Sequence, residues 1–155
     1  MILPQIPINI LLADDDIDDC MFFKIALNGL NQSTVLKTVN NGEQLMQLLG
    51  EENNELPNVL FLDLNMPRKN GFECLSEIKM NKRLENLPVI IFSTSLENEI
   101  VNLLYENGAQ YFIRKPSEFS KYKQIIGETV KLISEKKTEQ PRREDFVLEV
   151  KYVHS

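Results

Sequence analysis

Residues 11–19, LLADDDIDD, pass without a break from apolar to acidic side chains, and five of the last six residues are aspartates. Two carboxylates about 4 Å apart repel each other by roughly 4 kcal/mol at an effective dielectric constant of about 20. Such a cluster therefore needs a cation or a proton to neutralise it. A short apolar run that ends in aspartate is typical of a buried strand in an α/β sheet, where ligands bind beyond the carboxyl end.

The composition fits one globular domain. The chain has 155 residues, 43% of them hydrophobic and 26% charged, which is enough to bury one core. The formal net charge of -6 disfavours binding to a nucleic-acid backbone or to anionic lipid. No apolar stretch approaches the roughly 20 residues of a membrane span, and the first residues lack the charged segment of a signal peptide. We therefore expect a cytoplasmic protein without nucleic-acid or membrane partners.

Strand-like and helix-like segments alternate five times along the chain. The predicted strands cover residues 8–13, 34–39, 59–62, 89–92 and 111–113. Apolar residues recur with helical spacing over residues 18–30, 43–49, 72–80, 97–107 and 121–135. Three of the strands are almost continuously apolar, which is typical of a parallel sheet covered on both faces. Right-handed crossovers then predict a doubly wound α/β fold with its ligand site at the carboxyl ends of the strands.

Polar residues follow four of the five predicted strands at that edge of the sheet. These residues are Asp14, Asp15 and Asp16 after the first strand, Asp63 after the third, Ser93 and Thr94 at the fourth, and Lys115 after the fifth. Oxygen ligands favour hard cations, and a shallow site with few carboxylates suits Mg²⁺ better than Ca²⁺. A calcium EF-hand is disfavoured because the acidic stretch lacks the glycine and the distal glutamate of that loop.

The acids of the opening stretch divide into two groups. Asp14 and Asp15 directly follow the buried strand and are assigned to the ligand site. Asp18 and Asp19 fall at the start of a predicted helix, where the helix dipole and capping favour carboxylates, and no further role is assigned to them. For Asp16 both interpretations stay open.

Four motifs, ILLADDD, FLDLNMPRKNGFE, PVIIFSTS and GAQYFIRKP, occur in register with the predicted strand ends. Together they resemble the receiver domain of two-component response regulators. The resemblance covers about residues 8–135, so the predicted domain is residues 1–135 and residues 136–155 form a polar tail. It implies a flavodoxin-like (βα)5 fold whose five-stranded parallel sheet has the order 2-1-3-4-5.

The resemblance also implies a role for each residue of the site. Asp63 resembles the phosphoacceptor, which would take a phosphoryl group from a phosphohistidine of a sensor histidine kinase or a histidine phosphotransfer protein. Mg²⁺ would be held by Asp14, Asp15, Asp63 and the backbone carbonyl of Asn65. Lys115 would neutralise charge on the transferred group together with the metal.

Further residues of the pattern shape the site or respond to it. Ser93 resembles the hydroxyl residue that hydrogen-bonds the phosphoryl group and takes part in the switch, and Phe112 resembles the aromatic switch residue. Thr94 stands where the family often has Ala or Gly, so we expect it to hinder attacking water and to prolong the life of the phosphoaspartate. Pro67 and Gly71 are assigned to loop geometry, and a cis peptide before Pro116 is expected to orient Lys115.

The predicted output is through protein contacts. Only residues 136–155 follow the last predicted helix, too few for a DNA-binding domain, so a stand-alone regulator is expected. The downstream protein effector is predicted to bind the surface of the fourth helix, fifth strand and fifth helix, where partial exposure is expected for Ile100, Leu104, Tyr111 and Tyr122. Residues 146–153 alternate like a strand, and three alternatives stay open: pairing with a sheet edge, contact with a second protomer in a homodimer, and disorder.

Two other classes of function stay open beside a signalling protein that is not an enzyme. A magnesium-dependent phosphatase or phosphotransferase of the haloacid-dehalogenase type also uses an aspartate nucleophile after a parallel strand. That class expects a second aspartate two residues later, where this chain has Asn65, and a cap domain. The remaining class is a binding module whose site is never phosphorylated.

Overall fold

The computed structural model describes residues 6–53, 55–94, 97–135 and 139–150. Within these residues the strands are β1 (Ile8–Ala13), β2 (Thr34–Val39), β3 (Val59–Leu62), β4 (Val89–Ser93), β5 (Tyr111–Arg114) and β6 (Val147–Leu148). The α-helices are α1 (Ile17–Asn28), α2 (Gly42–Gly50), α3 (Gly71–Met80), α4 (Asn98–Glu106) and α5 (Phe119–Ser134). A single 3-10 turn, Arg143–Asp145, precedes β6.

The strands form one sheet in the order β2-β1-β3-β4-β5-β6, and every neighbouring pair is parallel. The predicted doubly wound (βα)5 fold with the order 2-1-3-4-5 is confirmed. The sheet has six strands rather than five, because β6 lies beside β5 and pairs Phe112 with Val147 and Ile113 with Leu148. Residues 151–153 of the predicted tail strand lie outside the described residues.

Successive residues of each central strand enter two separate cores. Ile10, Leu12 and Phe61 belong to a core that α1 and α5 cover with Phe23, Leu27, Tyr122 and Ile126. Leu11, Leu60 and Leu62 belong to the opposite core, where α2, α3 and α4 contribute Leu45, Leu75 and Leu104. Since both faces are covered, the strands read as continuous apolar runs in the sequence. The alternation also determines which side of the sheet each residue beyond a strand end occupies.

Local capping places two helices against the carboxyl edge of the sheet. The side chain of Asp16 caps α1 by accepting hydrogen bonds from the backbone N–H groups of Asp18 at 2.9 Å and Asp19 at 3.2 Å. Asn70 and Glu73 form a capping box at the start of α3. A Cβ atom at Gly71 would lie 2.5 Å from the backbone oxygen of Asp63, so α3 begins directly against that backbone.

The exposure predicted for the output surface is wrong at two of its four positions. Leu104 and Tyr122 are buried, because Leu104 faces the sheet from α4 and Tyr122 packs against Phe92 from α5. Ile100 and Tyr111 are half-buried. None of the described helices combines the length and the apolar character needed to cross a bilayer.

Candidate functional site

The site continues the α1–α5 side of the sheet beyond its carboxyl edge. Two residues after Leu12, Phe61 and Ile113 come Asp14, Asp63 and Lys115. Their backbone N–H groups donate to Val39 at 3.1 Å, Ala13 at 3.0 Å and Ser93 at 2.9 Å, respectively. The parallel ladder therefore extends past the strands and fixes the backbone that carries these three side chains.

Three carboxylates converge at this edge. Asp14, Asp15 and Asp63 each offer an oxygen atom, and these oxygens lie within 4.8 Å of one another. Asp14 and Asp63 are buried, whereas Asp15 is exposed. The donor set consists of oxygen atoms and is open to solvent on one side, which fits a hard divalent cation such as Mg²⁺ that keeps part of its water shell. These are the three acids that the sequence predicted as metal ligands.

Lys115 is the cation that joins the cluster. Its Nζ atom lies 2.9 Å from Asp14 Oδ2, 2.9 Å from Asp19 Oδ2 and 3.8 Å from Asp63 Oδ1. The ammonium group also lies 5.2 Å from the centroid of the Phe92 ring. Burial alone would lower the pKa of Lys115, but its hydrogen bonds with Asp14 and Asp19, together with the negative charges of Asp63 and Asp14, outweigh burial and raise the pKa above its ordinary value. The lysine therefore stays protonated and partly neutralises the acids.

Burial raises the pKa of the carboxyl groups of the site, whereas burial alone would lower the pKa of Lys115. It raises the pKa of Asp63 to about 6, and the nearby charge of Lys115 only partly offsets this effect. It also raises the pKa of Asp14, against the hydrogen bond from Lys115. Ionised Asp63 is therefore held at a cost in free energy, which a bound cation would reduce. The Asn65 backbone N–H donates a hydrogen bond to the Asp63 carboxylate and lowers its pKa slightly.

Asp19 is a site residue that sequence reasoning missed. It was assigned to helix capping alone, yet its carboxylate shares Lys115 with Asp14. Tyr122 reaches the same turn, because its hydroxyl donates to the backbone oxygen of Asp19 at 3.2 Å. The sequence carries no signal for this contact, because it depends on the angle at which α1 leaves the sheet.

The remaining predicted residues lie near the acidic cluster or on the opposite side of the sheet. Ser93 is the buried last residue of β4, and Thr94 is exposed in a cleft that Lys115 and Pro116 also line. Phe112 lies on the opposite side of the sheet, buried in the core that α2, α3 and α4 cover. Pro67 is exposed in the loop after β3.

The predicted cis peptide before Pro116 is wrong. The described residues contain no cis peptide bond, so the Lys115–Pro116 bond is trans. Two other features orient Lys115: the ladder hydrogen bond from its backbone N–H to Ser93 and the ion pairs of its ammonium group.

Comparison with known proteins agrees with this geometry. The profile of the response regulator receiver domain matches residues 10–127, so the chain belongs to that family. The probable C4-dicarboxylate response regulator DctR of Bacillus subtilis is 34% identical over 118 residues, which are 76% of this chain and 50% of DctR. The chain thus spans half the length of this relative.

Two solved structures are similar in fold to most of this chain. The phosphorylated cyanobacterial phytochrome response regulator RcpA has a TM-score of 0.79 at 29% identity, covering 84% of this chain and 96% of RcpA. The Mn²⁺-bound form of response regulator Rcp1 has a TM-score of 0.73 at 29% identity, covering 79% of this chain and 91% of Rcp1. Receiver domains of this family are signalling modules that interact with histidine kinases or phosphotransfer proteins.

Proposed function

We propose that Asp63 accepts a phosphoryl group from a phosphohistidine of a sensor histidine kinase or a histidine phosphotransfer protein. A carboxylate oxygen of Asp63 attacks phosphorus, the P–N bond breaks, and the imidazole nitrogen leaves with the electron pair and takes up a proton. The observation that carries this proposal is the convergence of Lys115 with Asp14 and Asp63 at one strand edge. The phosphorylated RcpA neighbour supports it by similarity.

The residues around Asp63 divide the work of charge stabilisation. Lys115 neutralises charge on the transferred group, and Asp19 holds the lysine in place. Asp14, Asp15, Asp63 and the backbone carbonyl of Asn65 would hold Mg²⁺, which supplies Lewis-acid stabilisation of the phosphoryl oxygens. Ser93 would donate a hydrogen bond to the phosphoryl group, and Thr94 would restrict the approach of water from the cleft.

A protein donor is supported by the surface beside the site. Helix α1 exposes Ile17, Met21 and Ile25, spaced by one turn along one face. At the edge of this stripe Phe22 and Phe119 pack together with ring centroids 6.0 Å apart. An exposed apolar stripe rimmed by polar residues is typical of a protein-binding surface. The proposal implies a cytoplasmic location and an effector that binds another surface of the domain, while a homodimer stays a prediction.

The test is an intact-mass measurement of the full chain with acetyl phosphate and Mg²⁺. We expect a base-labile mass increase of one phosphoryl group, which Asp63→Asn and chelation of the metal each abolish. Glu52→Gln, an exposed change away from the site, is the matched control. Repeated turnover of varied phosphomonoesters would instead support a phosphatase, and an unchanged mass would support a binding module.

A further inference from the structure

Residues 139–150, which we call the tail strap, cross the outer side of α4 and β5. The Tyr105 hydroxyl donates to the backbone oxygen of Pro141 at 2.7 Å. The side-chain amide of Gln140 donates to the backbone oxygens of Tyr105 at 2.8 Å and Ala109 at 2.7 Å. Arg143 Nε donates to Asn102 Oδ1 at 2.7 Å. The strap is thus bound along its length by side chains as well as by the β6 ladder.

Phe146 anchors the tail strap in the core. Its side chain is fully buried, with its ring centroid 5.1 Å from that of Tyr105 and 6.5 Å from that of Phe112. The Phe112 backbone N–H donates to the Phe146 carbonyl at 3.0 Å. Residues of β5 therefore bind the strap through both backbone and side chain, and the strap covers the outer edge of β5, part of the predicted output surface.

The same strand connects the tail strap to the acidic site. Ile113, which pairs with Leu148 of the strap, is followed two residues later by Lys115. The strap also borders a cleft of about 550 Å³ next to the site. Glu149 and Val150 of the strap line this cleft together with Thr94, Lys115, Lys121 and Arg114. Glu118 also lines this cleft, and of its basic residues Lys115 lies 3.8 Å from Asp63. The strap therefore adds a second carboxylate, that of Glu149, to a cleft that shares Lys115 with the predicted phosphoacceptor.

We propose that the tail strap is a reversible cover of the α4–β5 surface that loosens when Asp63 is phosphorylated. The inference rests on the proposed function. A phosphoryl group on Asp63 adds negative charge, which attracts Lys115 and shifts the end of β5 relative to α4; because the strap is bound to both elements, this shift strains its contacts. The same charge competes with Glu149 for the basic residues of the cleft. Both effects oppose the docked strap, and its release uncovers the edge of β5 for a downstream partner.

The first test is hydrogen exchange of the full chain, measured by mass spectrometry with and without acetyl phosphate and Mg²⁺. We expect the amides of residues 146–150 to exchange at least about fivefold faster in the phosphorylated protein, the lower end of typical coupling between sites. The intact mass of the same sample separates the two proposals. Unmodified Asp63 would overturn the proposed function and this inference together, whereas modified Asp63 with unchanged or slower exchange would overturn this inference alone.

The second test uses the reciprocity of coupling between two sites. If phosphorylation loosens the tail strap, then loosening the strap must favour the phosphorylated state. We expect Phe146→Ala and Gln140→Ala each to tighten the binding of beryllium fluoride, a non-covalent mimic of the phosphoryl group, by about fivefold in the presence of Mg²⁺.

Glu144→Gln is the matched control within the tail strap, because Glu144 is exposed and pairs with the exposed Arg142 at 3.3 Å. Its affinity for beryllium fluoride should equal that of the unchanged chain. Should Phe146→Ala fail to fold, Gln140→Ala carries the test, because it removes two hydrogen bonds and leaves the core intact. Unchanged or weaker binding in the folded strap variants would overturn the inference.

Discussion

Phe61 and Asp63 lie two residues apart on the same side of the sheet, and burial acts on them in opposite ways. Phe61 is fully buried and packs edge-to-face against Phe23, with ring centroids 4.8 Å apart. Asp63 is 7% exposed, and burial raises its pKa to about 6, so ionising it costs more free energy in the folded protein than in water. The side of the sheet that stabilises the fold thus continues into an edge where a buried carboxylate lowers the stability.

The largest expected change in stability concerns Phe61, the apolar member of this pair. Phe61→Ala should lower the free energy of unfolding by about 3–5 kcal/mol, because it removes a buried ring and leaves a cavity. Urea denaturation at pH 7.5 measures the change. Met21→Ala, on the exposed face of α1, is the control and should change the free energy by less than about 0.5 kcal/mol. A similar loss in both variants would contradict the comparison.

The second effect has the opposite sign. Asp63→Asn should raise the free energy of unfolding at pH 7.5 by up to about 3 kcal/mol, because it removes a charge whose pKa is raised from 3.8 to about 6. Between these two pH values the folded protein binds more protons than the unfolded chain, so the stability of the unchanged protein falls as pH rises.

The gain from Asp63→Asn should therefore grow from about pH 4 to about pH 6 and vanish below pH 3.8. Chemical denaturation at several pH values without divalent cations measures it. Glu52→Gln, in an exposed loop, should show no such pH dependence. A variant that is no more stable than the unchanged protein at pH 7.5 would show that burial of Asp63 carries no cost.

A third variant tests whether any carboxylate of the acidic stretch lowers the free energy of unfolding or only a buried one does. Asp16 is exposed and caps α1 through two backbone N–H groups, so Asp16→Ala should lower the free energy of unfolding by about 1 kcal/mol. Asp16→Asn keeps an acceptor for the cap and should retain most of the stability. An increase in stability for Asp16→Ala would show that exposed acids of the stretch also lower the free energy of unfolding.

The smallest expected effect concerns the exposed rim of the site. Thr94→Ala should leave the free energy of unfolding within about 0.5 kcal/mol. It should speed loss of phosphate from Asp63 about fivefold, equivalent to about 1 kcal/mol of barrier, because water then reaches the acyl phosphate more freely. The decay of the phosphorylated mass over time gives the rate, with Ser120→Ala, an exposed hydroxyl on α5, as control. An unchanged or slower decay would show that Thr94 does not shield the acyl phosphate from water.

The fold was predictable because its signals are local and repeated. The first three strands have the predicted limits. Apolar runs flanked by polar residues mark the ends of the buried strands β1 and β3, whereas a turn signal in residues 40–42 marks the end of β2, which is mostly half-buried or exposed. The helix limits moved by up to two residues, because caps such as Asp16 and Asn70 depend on backbone geometry that apolar spacing does not reveal. Pairing of the tail with a sheet edge was one of three open alternatives, and the sequence did not specify β5 as the partner, because a two-residue strand depends on tertiary contacts such as that of Phe146.

The acidic centre was predictable for a different reason, and its surroundings were not. Parallel strands bring their carboxyl ends together, so Asp14, Asp63 and Lys115 had to meet at one edge. The contact of Asp19 with Lys115 depends on the angle at which α1 leaves the sheet, which no residue pattern specifies. The burial of Tyr122 likewise depends on how α5 lies against α1.

Lys115 also has a consequence for how the protein responds to the cellular supply of divalent metal. Because its ammonium group already pairs with Asp14 and Asp19, the acidic cluster carries an internal counter-ion before any metal arrives. Under the proposed function, depletion of metal would therefore lower the capacity to accept phosphate more than it lowers the amount of folded protein. The concentration of divalent metal in the cell would then affect the capacity of the protein to accept phosphate more than it affects the abundance of the protein.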